Sequence, residues 1–360
     1  MTRVPRLRPL TVLQAALTLA LASGCMSSPM LDYSLNVPAQ TLIPPGAPPV
    51  QEGRARFREI FCALLAQEPG AATRPCDALL HRLSDEPARA RRARPLPSHA
   101  PGWAVIFVPG LLGECAYGLA PPFESSVPRL RRLGYDARIA PVNASAPSHA
   151  NAERLAQEIN ESPAERIVLV GHARGAVDIL ELLAAHPAAA SRVQAVLSVA
   201  GAINGSPLAD TPSGASLLLP RGGERACTEG EREALSDLKR AHRLRWLMEH
   251  PLPQPPRYFS IGAFAPRAEV SKPLRARVAA LATIDPRNDG LTPFFDQMIP
   301  GAELLGYANA DHWSVVTDTQ GQSSASGTSQ DEAPPFRQEV LIEAALLRIV
   351  EALSSNGAGG

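Results

Sequence analysis

Three short stretches of the chain combine residue types that can move protons and polarise a carbonyl group. Residues 171–175 read Gly-His-Ala-Arg-Gly and directly follow the apolar run Ile167-Val-Leu-Val170. This is the frame of a nucleophile elbow, a sharp strand-to-helix turn that projects its central side chain and needs glycines where strand and helix come close. The central residue is Ala173, which has no atom able to attack a carbonyl. Asp289, in Asn288-Asp-Gly-Leu291, and His312, in Ala310-Asp-His-Trp313, follow in the order elbow, acid, histidine. A histidine oriented by a carboxylate acts as a general base toward a hydroxyl or a water. Val108-Pro-Gly-Leu-Leu-Gly113 follows an earlier apolar run. There the backbone N–H of Leu111, with that of Arg174, would hold a developing oxyanion. Asp285 is a rival acid, and Asp289 itself sits in a common turn sequence. Ser206, in Asn204-Gly-Ser-Pro207, is a substitute nucleophile to be weighed against a structural role.

Such residues need a scaffold that delivers strand ends to one place. From residue 103 onward, apolar runs at 104–108, 137–142, 166–170, 193–199, 258–263 and 302–307 alternate with helical patterns near 123–133, 150–160, 175–186 and 338–353. Short runs bounded by Gly, Pro or Asn suit strands buried on both faces, and their alternation with helices predicts an α/β parallel sheet covered on both sides. In open sheets of this kind the loops at the carboxyl ends of the strands carry the chemistry. An insertion at 208–256 holds one predicted helix, 231–250, with an apolar stripe at Leu235, Leu238, Ala241, Leu244 and Leu247–Met248. Residues 318–335 are rich in Gly, Ser, Thr and Gln and predict a surface loop.

Residues 103–353 resemble an α/β-hydrolase of the bacterial lipase and esterase type, on VPGLLGE at 108–114, VLVGHARGAVD at 168–178, AGAINGSPLAD at 200–210, NDGLTP at 288–293 and ADHW at 310–313. The resemblance implies catalytic Asp289 and His312, oxyanion donors at Leu111 and Arg174, and a nucleophile position at residue 173. It also implies a helical cap formed by 208–256, a structural rather than nucleophilic Ser206, and an ester or acyl-chain molecule as ligand, with no cofactor. Two departures matter. The nucleophilic Ser is absent, so ester hydrolysis is expected to be impaired; a non-catalytic ligand- or partner-binding protein, or slow hydrolysis through water activated by His312, are the alternatives. The acidic residue that calcium-binding lipases carry after the catalytic His is also missing (Ser314 and Val315 follow Trp313), so no metal is expected.

The chain has 360 residues, with 35 basic and 35 acidic side chains. A net charge of zero argues against a nucleic-acid binder, which would carry a basic excess. Arg3, Arg6 and Arg8 precede an apolar run at 10–22 that ends in Ser-Gly-Cys25, the pattern of a secretory signal. It resembles a bacterial lipobox, which implies residues 1–24 as leader, a diacylated Cys25 and a membrane anchor. The absence of Asp after that Cys points to the outer membrane, while a secreted protein with a stray Cys remains the alternative. Residues 25–52 read as a Pro-rich tether, 53–100 as a helical hairpin and linker, and 101–354 as the main domain. Four further cysteines (Cys62, Cys76, Cys115 and Cys227) suit disulfides in an exported chain. Three connectivities are open, Cys62 with Cys76 being the most local; four buried thiols are the other possibility.

Overall fold

A computed structural model describes residues 38–68, 75–88, 94–110, 121–218, 231–317 and 336–355. Its eight strands are β1 (Gln51–Glu52), β2 (Leu80–His81), β3 (Ala104–Val108), β4 (Asp136–Ile139), β5 (Ile167–His172), β6 (Val193–Val199), β7 (Arg257–Phe264) and β8 (Glu303–Asn309). They form one sheet in the order β1-β8-β7-β6-β5-β3-β4, and β2 pairs with β8 beside β1. Every pairing is parallel except that of β2. β3 shows why these runs are continuously apolar. Val105 and Phe107 enter the core on one face, Ala104, Ile106 and Val108 the core on the other, and all five are fully buried.

Helices α1 (Arg54–Leu65), α3 (Ser126–Arg132) and α11 (Gln338–Ser355) cover the first face, α2 being the single turn Cys76–Leu79. The second face is covered by α4 (Ser148–Glu161) and α5 (Arg174–Ala185), with α6 (Pro187–Ala190) behind them. The inserted segment supplies α7 (Pro212–Leu218), α8 (Glu231–Ser236) and α9 (Arg240–Glu249), and α10 (Arg275–Leu281) precedes the loop that carries Asp289. Among the described residues no helix is long and apolar enough to cross a membrane.

Three expectations change. The single helix expected at 231–250 is broken between α8 and α9 at residues 237–239. Lys239 is extended there, and the Leu238 carbonyl accepts from the Ser206 N–H at 2.7 Å. The restart shifts the helical phase, so the face that α9 buries is Arg243, Trp246 and Leu247, whereas Ala241 and Met248 are exposed. The Pro-rich stretch is no free tether over its described part. Leu42 donates to the Phe295 carbonyl at 3.2 Å and accepts from Asn204 Nδ2 at 2.6 Å, and Gln51 donates to Ala302 as β1 joins β8. Proline removes donors only at its own positions, and the N–H groups between the prolines dock the segment. Residues 53–85 are not a separate hairpin either. Phe57, Ile60, Phe61 and Leu64 of α1 enter the main core, and the chain past α2 becomes β2 on the sheet edge. Cys62 and Cys76 form a disulfide that ties α1 to α2, with Cα atoms 5.3 Å apart. The leader and Cys25, Leu111, Cys115, Cys227 and the loop 318–335 lie outside the described residues.

Candidate active site

The site is built where β5 ends and α5 begins. A Cβ on Gly171 would lie 2.5 Å from the Ala176 Cα, and one on Gly175 only 2.0 Å from the Val108 carbonyl oxygen. No larger residue fits at either position, so the strand and helix close onto each other only through glycine. The turn between them forces Ala173 to φ 51° and ψ −122°. An L-residue there costs of order 1–3 kcal/mol. The Ala173 carbonyl accepts from the Ala176 and Ala202 N–H groups, the latter at 3.0 Å. The N–H groups of Arg174 and Gly175, first in α5, have no acceptor among the described residues, and no side chain caps the helix. The side chain of Arg174 turns away from them and donates to the carbonyls of Asn143 (3.2 Å), Ala144 (3.0 Å) and Ala146, holding that loop against the elbow.

Asp289 and His312 come together from loops 23 residues apart. Asp289 is fully buried; its Oδ1 accepts from the N–H groups of Leu291 (2.7 Å) and Thr292 (2.8 Å), and its Oδ2 from His312 Nδ1 at 2.7 Å. The His312 N–H also donates to the Asp289 carbonyl at 2.8 Å. Two backbone donors and an imidazole satisfy the carboxylate, and the carboxylate in turn fixes which ring nitrogen of His312 carries a proton. His312 Nε2 is left without a hydrogen-bond partner among the described residues. The rival acid Asp285 is engaged elsewhere: it accepts from Arg287 Nε at 3.1 Å and Nη2 at 2.9 Å. Ser206 is buried with its hydroxyl donating to the Leu291 carbonyl at 2.5 Å, so it braces the loop that carries Asp289.

Two residues that sequence reasoning passed over shape this site. His172 donates from Nε2 to the His312 carbonyl at 2.8 Å, and the two rings lie 4.6 Å apart. Burial, with the nearby His312 ring adding to it, pushes His172 well below the ordinary imidazole range; it stays neutral and acts as a fixed donor. Asp311 accepts from the N–H groups of Trp313 (3.0 Å), Ser314 (2.8 Å) and Ser271 (2.7 Å), which shapes the turn that presents His312. The one available signal was Asp directly before His312, since Asp folds back onto N–H groups two residues on.

The cap closes over the elbow with apolar side chains. Ala173 packs in one buried cluster with Leu208 and Leu218, with Leu235 and Leu238 from the α8 region, and with Leu281 and Leu291. Among the described residues no group of three or more His, Cys, Asp or Glu could hold a metal ion. A histidine held by a carboxylate, a helix N-terminus whose first N–H groups have no acceptor among the described residues, and an apolar surround are features that could receive an acyl group and polarise its carbonyl. What is missing from the chemistry is a nucleophilic atom at residue 173.

No family model matches the chain, and no curated protein matches it. Solved structures do. A Bacillus licheniformis lipase, BlEst2, in its mature form aligns at 20% identity over 62% of this chain and 88% of its own, with a TM-score of 0.48. The metagenomic carboxyl esterase MGS0156 aligns at 36% identity, covering 90% of this chain and all of its own, with a TM-score of 0.73. With a parallel sheet flanked by helices and an identity of that level across nearly its whole length, the chain belongs to the carboxyl esterases of the α/β-hydrolase fold.

Proposed function

We propose that this protein is an exported, lipid-anchored member of the carboxyl esterase family that recognises an ester or acyl chain and whose hydrolytic chemistry is impaired at Ala173. The observation that carries the reading is the elbow itself, with a methyl group at its apex, while the hydrogen-bonded Asp289–His312 pair is tied to the elbow through the His172 bond to the His312 carbonyl. Covalent catalysis needs an attacking atom there, and loss of a nucleophilic Ser costs about 10⁶-fold in kcat in a well-studied protease. The charged segment, apolar run and Ser-Gly-Cys25 ending support export and acylation of Cys25. The intact Asp289–His312 pair supports a second reading, in which His312 activates water and slow turnover of about 10³–10⁴-fold over solution persists.

Hydrolysis of a short and a long p-nitrophenyl ester by the wild type and by Ala173→Ser tests the reading. The serine variant is expected to exceed the wild type by at least about 10³-fold in kcat/KM on one of the two esters. Equal rates in the two proteins would sink it, and so would inactivity of the serine variant on both. Anchoring is checked separately: in a bacterial host, metabolic labelling with a radioactive fatty acid should mark the wild type and spare Cys25→Ala. Label on both, or on neither, would refute acylation at that residue.

A further inference from the structure

We infer that Gln297 is a positioning residue for the Asp289–His312 pair: its carboxamide completes β7 where β6 leaves the sheet and clamps the turn that holds the acid. The inference rests on the reading of that pair as the acid and base of an esterase, and it adds what keeps the two aligned. Its starting point is an open edge within the sheet. β6 pairs with β7 only as far as Val199 and Ile261. The chain then turns away at Ala200, at φ 45°, where its N–H donates to the Ile261 carbonyl at 2.9 Å. Alternate residues of a strand direct their peptide groups to the same side, so Ala263 faces the side that β6 has vacated. Ala263 is fully buried, and a buried peptide needs partners for its N–H and its carbonyl. Gln297, just after the short turn Phe294–Asp296, supplies both. Its Oε1 accepts from the Ala263 N–H at 2.7 Å, and its Nε2 donates to the Ala263 carbonyl at 3.0 Å.

These partners fix the orientation of the carboxamide. Only its oxygen can face an N–H, so its nitrogen faces the carbonyls. Nε2 also donates to the Thr292 carbonyl at 3.3 Å. Thr292 closes the turn around the acid. Its N–H donates to Asp289 Oδ1 at 2.8 Å, and its carbonyl accepts from the Asp289 N–H at 3.3 Å. Gly290 takes φ 97° inside this turn. An unbroken line of hydrogen bonds therefore runs from β7 through Gln297 and Thr292 to Asp289, whose Oδ2 accepts from His312 Nδ1 at 2.7 Å. Gln297, Thr292 and Asp289 are all fully buried, so solvent does not compete for these bonds.

Two other contacts brace the same loop, and they mark what Gln297 adds. The Ser206 hydroxyl holds the Leu291 carbonyl, and the His312 N–H holds the Asp289 carbonyl. Both come from segments that have already left the sheet, after β6 and after β8. Gln297 ties the turn to a strand. A carboxylate that orients an imidazole must keep its angle as well as its distance, and a strand is a stiffer reference than a loop.

Nuclear magnetic resonance and kinetics on the whole protein test this. In wild type, the Gln297 carboxamide protons should be protected from solvent exchange. A low-field His312 Nδ1 proton should also be visible, identified by its loss in His312→Gln. Gln297→Met keeps the side-chain length and removes all three bonds. It should broaden or abolish the low-field resonance, while circular dichroism and a cooperative melt report an intact fold. Gln297→Glu keeps the acceptor for Ala263, loses the amide donor, and should lose the resonance likewise. Ile159→Ala opens a cavity at the end of α4, beside Arg192 at the start of β6, and controls for lost stability alone; it should leave the resonance in place. Added to Ala173→Ser, Gln297→Met should lower kcat by about 10–100-fold and leave KM within about threefold. A wild-type resonance in a folded Gln297 variant, an equal loss in Ile159→Ala, or a freely exchanging carboxamide in wild type would overturn the inference. So would a rise in KM in place of the fall in kcat. Failure of both Gln297 variants to fold would assign Gln297 to the sheet alone and overturn it too. Inactivity of Ala173→Ser itself defeats the impaired-esterase reading instead, and the resonance then still decides the role of Gln297.

Discussion

At the residue scale, the elbow is a backbone device that carries only a methyl group. Ala173 keeps φ 51° although it has no hydroxyl to project. The strain is imposed by its surroundings, chiefly the contacts that allow only glycine at 171 and 175. A residue with a branched Cβ has no low-energy rotamer in this region, and the loop of Gly110 leaves no room beside it. Ala173→Val, conservative by composition, is therefore expected to destabilise the fold by about 2–3 kcal/mol, whereas Ala173→Ser should stay within about 1 kcal/mol of wild type. Urea denaturation of the three proteins checks this, and a valine variant as stable as the serine one would refute it. The pairing of Asp289 with His312 was expected from sequence because each sits in a recognisable local pattern, Asn-Asp-Gly for the acid and Ala-Asp-His after β8 for the histidine. His172 was not, since its partner is the carbonyl of a residue 140 positions later. Leu111, the other expected oxyanion donor, lies outside the described residues.

At the element scale, the pieces around the site are joined through polar knots that periodicity does not report. Asp296 is the centre of one. It is fully buried on a short turn after the Asp289 loop, accepts from Arg240 of α9 at 3.2 Å and Asn204 at 3.3 Å, and leaves its Oδ2 unpartnered. Asn204 reaches on to the Leu42 carbonyl, so the knot couples the cap helix, the loop after β6 and the N-terminal segment. Burial pushes the Asp296 carboxyl up from 3.8 to about 6, with Arg240 opposing the shift. Between those values the folded protein holds a proton that the unfolded chain has released, so stability falls as pH rises from about 4 to 6 and then levels off. The cost at neutral pH is up to about 3 kcal/mol. Asp296→Asn keeps an acceptor without the charge, and it should be more stable than wild type at pH 7.5 and lose that advantage at pH 4. Denaturation midpoints at both pH values decide the matter; an equal difference at the two would refute the assignment. The same polar ties explain why one helix was expected at 231–250. The apolar residues there have helical spacing, but the break at 237–239 is made by the Leu238 carbonyl meeting Ser206 from another loop, an interaction without a local sequence signal.

At the scale of the whole molecule, the fold was legible and its outer boundary was not. Six strands and the helices between them follow from alternating apolar runs, because strands buried on both faces leave a continuous record in sequence. Residues 53–100 left a different record, a polar helix, prolines and arginines, which reads as a separate appendage. In the structure α1 and β2 of this segment are part of the core. Phe57, Ile60, Phe61, Leu64 and Leu65 of α1 are each 6% exposed or less and pack against α11 and β8. Arg56 Nη2 meets Glu351 Oε1 at 2.6 Å, His99 Nε2 lies 3.0 Å from Glu343 Oε1, and β1 and β2 together cover the outer edge of β8. Three arginines of α1, Arg54, Arg56 and Arg58, are inside: Arg58 is 1% exposed and binds the Glu86 carboxylate through two contacts of 2.6 Å. Removing residues 1–100 would expose the apolar face under α1, bare an edge strand and leave Glu351 without Arg56. Five large apolar side chains at roughly 1.5–3 kcal/mol each amount to about 10 kcal/mol, against a total stability of about 5–15 kcal/mol for an ordinary domain. A fragment of residues 101–360, which starts where the sequence reading placed the main domain (101–354), should therefore fail to fold, giving insoluble protein or a broad, non-cooperative melt. A soluble fragment that melts cooperatively within a few degrees of the full chain would show that α1, β1 and β2 decorate a self-sufficient sheet rather than complete it.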